Sequence, residues 1–184
     1  MKTTITIILT LIIVQVRGQQ IIDSSQQDSL FTVRQDTTFT KADEKLFNGI
    51  VKTTTEDEVK FSHYENGCLF VDSSFYSTQK LKAVFRYKNK KTTDRFLFDQ
   101  YGNKFQEDIY LDSNKTLKQS IWWHPNGQLW RIEMYYNGMK TGKWYEWFKN
   151  GNLLFEGEFK QGNKFGVWTY YNANTKKIIR QEQH

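Results

Sequence analysis

Residues 121–172 carry one pattern twice and begin it a third time, and that recurrence limits the fold more than any composition does. Asn126-Gly127 returns as Asn150-Gly151, Leu129 as Leu153, Gly138 as Gly162, Gly142 as Gly166 and Trp144 as Trp168, each pair 24 residues apart. A period of that length marks an architecture built by stacking one small supersecondary unit. All six tryptophans fall within the stretch.

The unit is a hairpin. From residue 46 onward, short aromatic and β-branched runs alternate with turn dipeptides, among them Asn48-Gly49, Asn66-Gly67, Asn126-Gly127, Asn137-Gly138 and Asn150-Gly151. Asn-Gly between alternating runs is a strong hairpin signal because both residues tolerate positive φ. Strands are predicted at 49–54, 58–64, 68–75, 80–87, 94–99, 104–111, 117–124, 128–136, 143–149, 152–159, 166–172 and 176–181. No helix of useful length is expected after residue 46, so the fold class is all-β, an antiparallel meander.

Three segments follow. Lys2, the apolar run Ile5–Val16 and the small residues Val16 and Gly18 have the form of a cleaved signal peptide over 1–18. The run is short of the roughly 20 residues of a membrane span, and an uncleaved anchor is the other reading. Export is expected, to a periplasm or to the medium. Residues 19–45 form a polar segment, a linker or a draped strand, with Phe31, Val33 and Phe39 as possible anchors and a single helical turn at 42–45. Residues 46–184 are the repeat domain, with the best repeats at 120–172. Cys68 is the only cysteine, so no internal disulfide exists; it reads as a small buried residue, with a free reactive thiol as the alternative.

Alignment at the period separates two faces. Leu129, Arg131, Glu133 and Tyr135 match Leu153, Phe155, Gly157 and Phe159, and the same register laid on Asn66-Gly67 gives Leu69, Val71, Ser73 and Phe75. This reads as the structural face. The opposite face carries Trp130, Ile132 and Met134 in one copy and Leu154, Glu156 and Glu158 in the next. Trp122 and Trp130 have no tryptophan at the equivalent place in the next copy, whereas Trp123, Trp147 and Tyr171 recur as a packing column. Trp122, Trp130, Ile132 and Met134 are therefore the candidate partner-binding residues.

Charge supplies a second candidate. Between Asp72 and Asp94 there is no acidic residue, while Lys80, Lys82, Arg86, Lys88, Lys90 and Lys91 are all present. Alternation in KLKAVFRYK predicts Lys80, Lys82, Arg86 and Lys88 on one face, an anion-binding row for an acidic membrane or glycan surface. A solvated outer face guarding a sheet edge is the plainer reading. Nucleic acid is a poor partner, since Phe85 and Tyr87 point away from that row.

The pattern aromatic pair, x-Asn-Gly-x-Leu, variable strand, then Gly-x-x-x-Gly-x-Trp resembles the MORN repeat and its bacterial variant. It is present as WWHPNGQLWRIEMYYNGMKTGKW and EWFKNGNLLFEGEFKQGNKFGVW, with TYYNANTKKI as a degenerate third copy having Thr175 at a glycine position. SHYENGCLFVDSSFY and FDQYGNKFQEDIY resemble weaker members, with the glycines 67, 102 and 127 unevenly spaced. The resemblance implies an elongated, curved array of hairpins of about 23–25 residues, one per repeat, in a single antiparallel sheet. Bacterial proteins of this type are described as similar to antitoxin components of toxin–antitoxin systems, and eukaryotic arrays are associated with lipid and protein contacts at membranes. No catalytic residue carries over.

Catalytic and cofactor signals are weak. His63, His124 and His184 are far apart, and no His-x-His, His-Glu-x-x-His or Cys-x-x-Cys spacing occurs. Glu156 and Glu158 are two apart on a strand without an identified partner, which fits a solvated face better than glycoside chemistry. The expectation is an exported, non-enzymatic scaffold that binds another protein through its sheet surface, with no metal and no cofactor.

Overall fold

The structure, a computed structural model, describes residues 21–23, 31–34, 37–40 and 46–184. The expected signal peptide (1–18), the helical turn at 42–45 and the side chains of Phe31, Val33 and Phe39 lie outside the described residues.

Strands follow the turns. β1 (Ile21–Asp23) lies parallel to β4 (Gly49–Thr54), and β2 (Phe31–Arg34) pairs with β3 (Thr37–Thr40) as a separate hairpin. The polar N-terminal segment thus contains three short strands that its composition does not announce. The hairpin is tied to the sheet by Thr38 N–H donating to Gly67 O (2.8 Å) and Phe47 N–H donating to Thr38 O (3.0 Å). From β4 the chain runs as a meander. β5 (Glu58–Glu65), β6 (Cys68–Tyr76), β7 (Leu81–Lys88), β8 (Lys91–Phe98), β9 (Lys104–Tyr110) and β10 (Leu117–Trp123) form its first part. β11 (Leu129–Tyr136), the short β12 (Met139–Lys140), β13 (Gly142–Trp147), β14 (Leu153–Lys160), β15 (Asn163–Tyr171) and β16 (Ile178–Gln183) complete it. Every strand from β4 onward pairs antiparallel with its neighbour in a single open sheet.

The two rims of the sheet use different turns. At one rim the pairs Asn66/Gly67, Asn89/Lys90, Asn137/Gly138 and Gln161/Gly162 both have positive φ, the two-residue turn whose twist matches the strands; the longer β9–β10 turn on that rim is the exception, with Lys115 alone at positive φ. At the other rim only one residue per turn does: Gln79, Gly102, Gly127, Gly151 and Lys176. There the N–H donates back to Tyr76, Asp99, His124, Phe148 and Asn172 O respectively, at 2.8–3.0 Å. Those acceptors stand at steps of 23, 25, 24 and 24 residues, so one repeat phase runs from β6 to β16. The last turn is one residue longer, with Lys176 rather than Thr175 at positive φ.

This phase corrects the sequence alignment. Asn66-Gly67 is equivalent to Asn137-Gly138, not to Asn126-Gly127, because the two dipeptides sit at opposite rims. The apparent drift in the first half disappears once Gly67 is removed from the series 79, 102, 127, 151, 176.

From β7 onward, each strand leaving the second rim carries an extra residue. Trp122 pairs with Arg131 and Trp123 with Leu129, leaving Trp130 as a β-bulge; Lys82, Phe105, Leu154 and Ile179 are bulged in the same way. A bulge increases local twist and sets two successive side chains on one side of the sheet.

Directly opposed residues share a face, so the register defines both. One, here the Asp108 face, is traced by Asp72, Phe85, Arg95, Asp108, Ser120 and Glu133 across β6–β11. The other, the Leu81 face, carries Phe75, Leu81, Val84 and Phe96. The packed clusters change face along the sheet. Phe47, Val51 and Tyr64 pack on the Asp108 face, Leu81, Val84 and Phe98 on the Leu81 face, then Trp144, Phe159 and Trp168 on the Asp108 face again. The column Trp123, Trp147, Tyr171 extends back in phase to Phe98 and Phe75, which pack together in the middle cluster.

Candidate binding face

The middle of the Asp108 face is built from charge. Asp108 is fully buried; its carboxylate accepts from Ser120 Oγ (2.5 Å) and Gln106 Nε2 (3.1 Å) and pairs with Arg95, while Lys118 Nζ stands at 3.7 Å. Burial alone pushes its pKa up. The hydrogen bonds from Ser120 and Gln106 and the charges of Arg95 and Lys118 outweigh that and hold it below the usual carboxylate range. Arg95 also leaves its buried Nε without a partner.

One repeat further on, the pattern is arginine between two glutamates. Arg131 donates to Glu133 (2.9 Å) and to Glu146 (3.0 Å), and Glu133 is itself buried. Trp122 Nε1 donates to Glu133 (3.1 Å), Tyr135 Oη to Glu133 (3.0 Å), and Trp130 Nε1 to Glu146 (3.2 Å). Burial and the neighbouring Glu133 charge push the Tyr135 hydroxyl up to about 12. Burial disfavours the Arg131 charge, but bonds and charge from Glu133 and Glu146 raise its pKa on balance.

Trp130 has two ring contacts: the His124 ring stacks at 5.5 Å between centroids and the Arg131 guanidinium lies 4.7 Å from its ring. Trp122 meets Trp130 edge to face at 6.3 Å. The rings are half-buried, and each is fixed at its N–H by a carboxylate and touches another ring. Rigid, half-exposed Trp and Arg side chains are the residue types that dominate protein interfaces.

The four candidate partner-binding residues therefore do not form one patch. Trp122 and Trp130 stand together on the Asp108 face, while Ile132, opposite Ile121 and Tyr145, and Met134, opposite Gln119, occupy the Leu81 face. The reason is the bulge, which turns Trp130 to the side of Arg131 and breaks strict alternation. Arg131, Glu133, Glu146 and His124 complete the cluster, and sequence periodicity gave no sign of them as partners.

The expected row of four cations is also divided. The bulge at Lys82 turns it to the Asp108 face, where it pairs with Glu58 at 2.7 Å. That hydrogen bond raises the Lys82 pKa. Arg86 lies opposite Asp94 on the Leu81 face with its guanidinium 4.9 Å from the Phe96 ring. Lys80 passes close to Gly102 and Lys88 is exposed near the turn. The sequence alternation assumed an unbroken strand.

A second feature of the Asp108 face is a groove of about 550 Å³ over Ser74, Ala83, Phe85 and Leu97, walled by Tyr76 and Tyr87. Two ion pairs stand on its rim, Lys60–Asp72 at 2.9 Å and Lys82–Glu58 at 2.7 Å. Tyr87 Oη donates to Asp72 (3.2 Å), and burial followed by the Asp72 charge pushes that hydroxyl up to about 12.

Other expected features resolve simply. Cys68 is a free, half-buried thiol. Glu156 accepts from Tyr171 Oη at 2.6 Å, an assignment that uses it in packing. Among the described residues no group of three or more His, Cys, Asp or Glu could hold a metal ion.

No protein-family model matches the chain, and no curated protein sequence matches it significantly. A solved structure of a protein with unknown function from Bacteroides fragilis NCTC 9343 aligns with 69% of this chain and 91% of its own length, at 10% identity and a TM-score of 0.24.

Proposed function

We propose that the protein is an exported, non-enzymatic scaffold of the MORN-repeat type that binds another protein on the Asp108 face of its sheet. The observation that carries this reading is the cluster Trp122, Trp130 and Arg131, half-exposed and held by Glu133, Glu146 and His124. Ordering rotamer-rich side chains costs about 0.5–1.5 kcal/mol each on association. Here the hydrogen bonds and ring contacts supply that order beforehand. The leader-like sequence at 1–18 supports export. The row of lysines favours an anionic surface less, because its members point to different faces and Lys82 is already paired.

The test is affinity capture with the mature chain from the cells that make it, beside Trp122→Ala/Trp130→Ala and Ile132→Ala/Met134→Ala variants. The tryptophan variant loses a partner that the wild type retains, by tenfold or more, while the Ile132/Met134 variant keeps it. Equal retention by all three sinks the reading. A partner bound through the aromatic cluster also stays bound when salt is raised, whereas one bound through exposed lysines is released.

A further inference from the structure

The groove over Ser74 and Ala83 can be compared, position by position, with the equivalent places in the later repeats. In repeat phase, Ser74 corresponds to Leu97, Trp122, Glu146 and Tyr170, and its cross-strand neighbour Ala83 to Gln106, Arg131, Phe155 and Arg180. The second pair, Leu97 and Gln106, carries neither ring nor charge, and Leu97 itself lines the groove; the last three pairs each place one aromatic ring beside one charged group. Trp122 lies opposite Arg131, Glu146 opposite Phe155, and Arg180 opposite Tyr170 with the guanidinium 4.2 Å from the ring. The first repeat has the charged groups in place, Lys60–Asp72 and Lys82–Glu58, but two small side chains where the ring would be.

The molecule also shows what it puts in a depression of this kind. Gly157 leaves a gap on the same face, and the Trp168 indole lies directly on it. The Lys164 ammonium stands 4.4 Å from that indole, and Lys140 stands 4.6 Å from Trp144. An ammonium over an aromatic face is attractive through the ring quadrupole. Lys60 and Lys82 stand at the groove in the corresponding role, each already neutralised by a carboxylate. Two ion pairs leave the rim without net charge, and the floor is Ala83, Phe85 and Leu97 with the Ser74 hydroxyl beside them; such a site does not select a phosphate or carboxylate and fits an uncharged planar ring.

We infer that the Ser74–Ala83 groove is a receptor for an aromatic side chain of a partner protein, which completes the first repeat as Trp122, Phe155 and Tyr170 complete the last three. The volume is within the range of about 300–1,000 Å³ typical of ligand pockets, so the ring enters with its backbone attachment. The owner of the ring rests on the protein-binding function proposed above; the ring site itself does not.

The test uses the full mature chain, labelled for amide NMR, and N-acetyl-tryptophanamide as the ring probe. N-acetyl-leucinamide and adenosine are run in parallel. Saturable shifts centred on Ser74, Ala83, Phe85 and Leu97 are expected, with the leucine and adenosine probes at least tenfold weaker. Ala83→Phe, and separately Ser74→Leu, each fill the groove and abolish those shifts, so the result stands if one variant folds poorly. No saturable shift, equal binding of the leucine probe, preference for adenosine, or shifts confined to Trp122 and Trp130 overturns the inference. Failure here leaves the Trp122–Trp130 cluster as the protein-binding site. Loss of that cluster in capture, with ring binding intact, separates the two in the other direction.

Discussion

At position 157 a Cβ would lie 2.3 Å from Trp168 Cδ2, closer than any side chain tolerates without movement. The glycine is required by that contact and not by its backbone, since its φ is ordinary. Trp168 is held in turn by its N–H donating to Glu158 O at 3.1 Å, the same bond Trp144 makes to Met134 O at 3.2 Å one repeat earlier. Gly157→Ala displaces the indole or the strand and is expected to cost about 1–3 kcal/mol, the usual scale of overpacking. Urea unfolding followed by tryptophan fluorescence measures it; a change below about 0.5 kcal/mol, the scale of a neutral surface substitution, contradicts the packing described. Identical dipeptides do different work at this scale. Asn137-Gly138 has both residues at positive φ, whereas in Asn126-Gly127 only the glycine does. Asn126 instead accepts from Gln128 N–H and donates to Lys149 O at 2.7 Å, and Asn150 makes the corresponding bond to Ala173 O at 3.0 Å. Two letters of sequence do not distinguish these roles, because the choice depends on which rim the turn occupies.

Elements were the most legible level. The strands from β4 to β16, except the two-residue β12, lie where alternation and turn residues place them. Trp123, Trp147 and Tyr171 recur at equivalent register positions, but their contacts differ: Lys104 Nζ lies 3.8 Å from the Trp123 ring, Trp147 stacks on Tyr145, and Tyr171 Oη donates to Glu156. Side-chain direction was not legible. A bulge adds one residue without a distinctive residue type, and the bulged positions here are as different as Lys82, Phe105 and Trp130. Each one flips a face assignment that strict alternation makes with confidence, which is why the cation row and the four-residue patch both divide. The polar spine was hidden for a related reason: Asp108 and Ser120 look like solvent-facing residues until their cross-strand partners are known. Asp108→Ala leaves Arg95 and Lys118 facing each other without the carboxylate. Because both cations are about one-third exposed and can turn to water, the cost is expected near 3 kcal/mol, the low end for breaking a buried pair. Arg95→Gln costs less, since Ser120, Gln106 and Lys118 remain on Asp108. An Asp108→Ala loss under about 1 kcal/mol, measured by denaturant unfolding, contradicts a spine of this kind, since an unsatisfied buried group alone costs about 1–3 kcal/mol.

The described residues from β4 onward form one sheet whose hairpins each touch their neighbours in order, with β2–β3 as a separate hairpin, so its stability is close to a sum over repeats and their contacts. Removing residues 125–148 excises one period and joins His124 to Lys149, bringing Trp122 opposite Phe155 in the surviving register. That shortened chain is expected to unfold cooperatively from a β-rich state, with lower stability than the full chain. Circular dichroism showing no β structure would count against a single repeat phase. A single-layer sheet also exposes two faces, and the function proposed here commits to one of them. Trp122 and Trp130 lie on that face, and Ile132 and Met134 lie on the other in the same strands, so the four residues report on both faces. The direct measurement is oxidative footprinting of the mature chain, free and bound to its captured partner, read at those four side chains. Protection of Trp122 and Trp130 with Ile132 and Met134 unchanged is the predicted result; protection of Ile132 and Met134 with the tryptophans still reactive contradicts it.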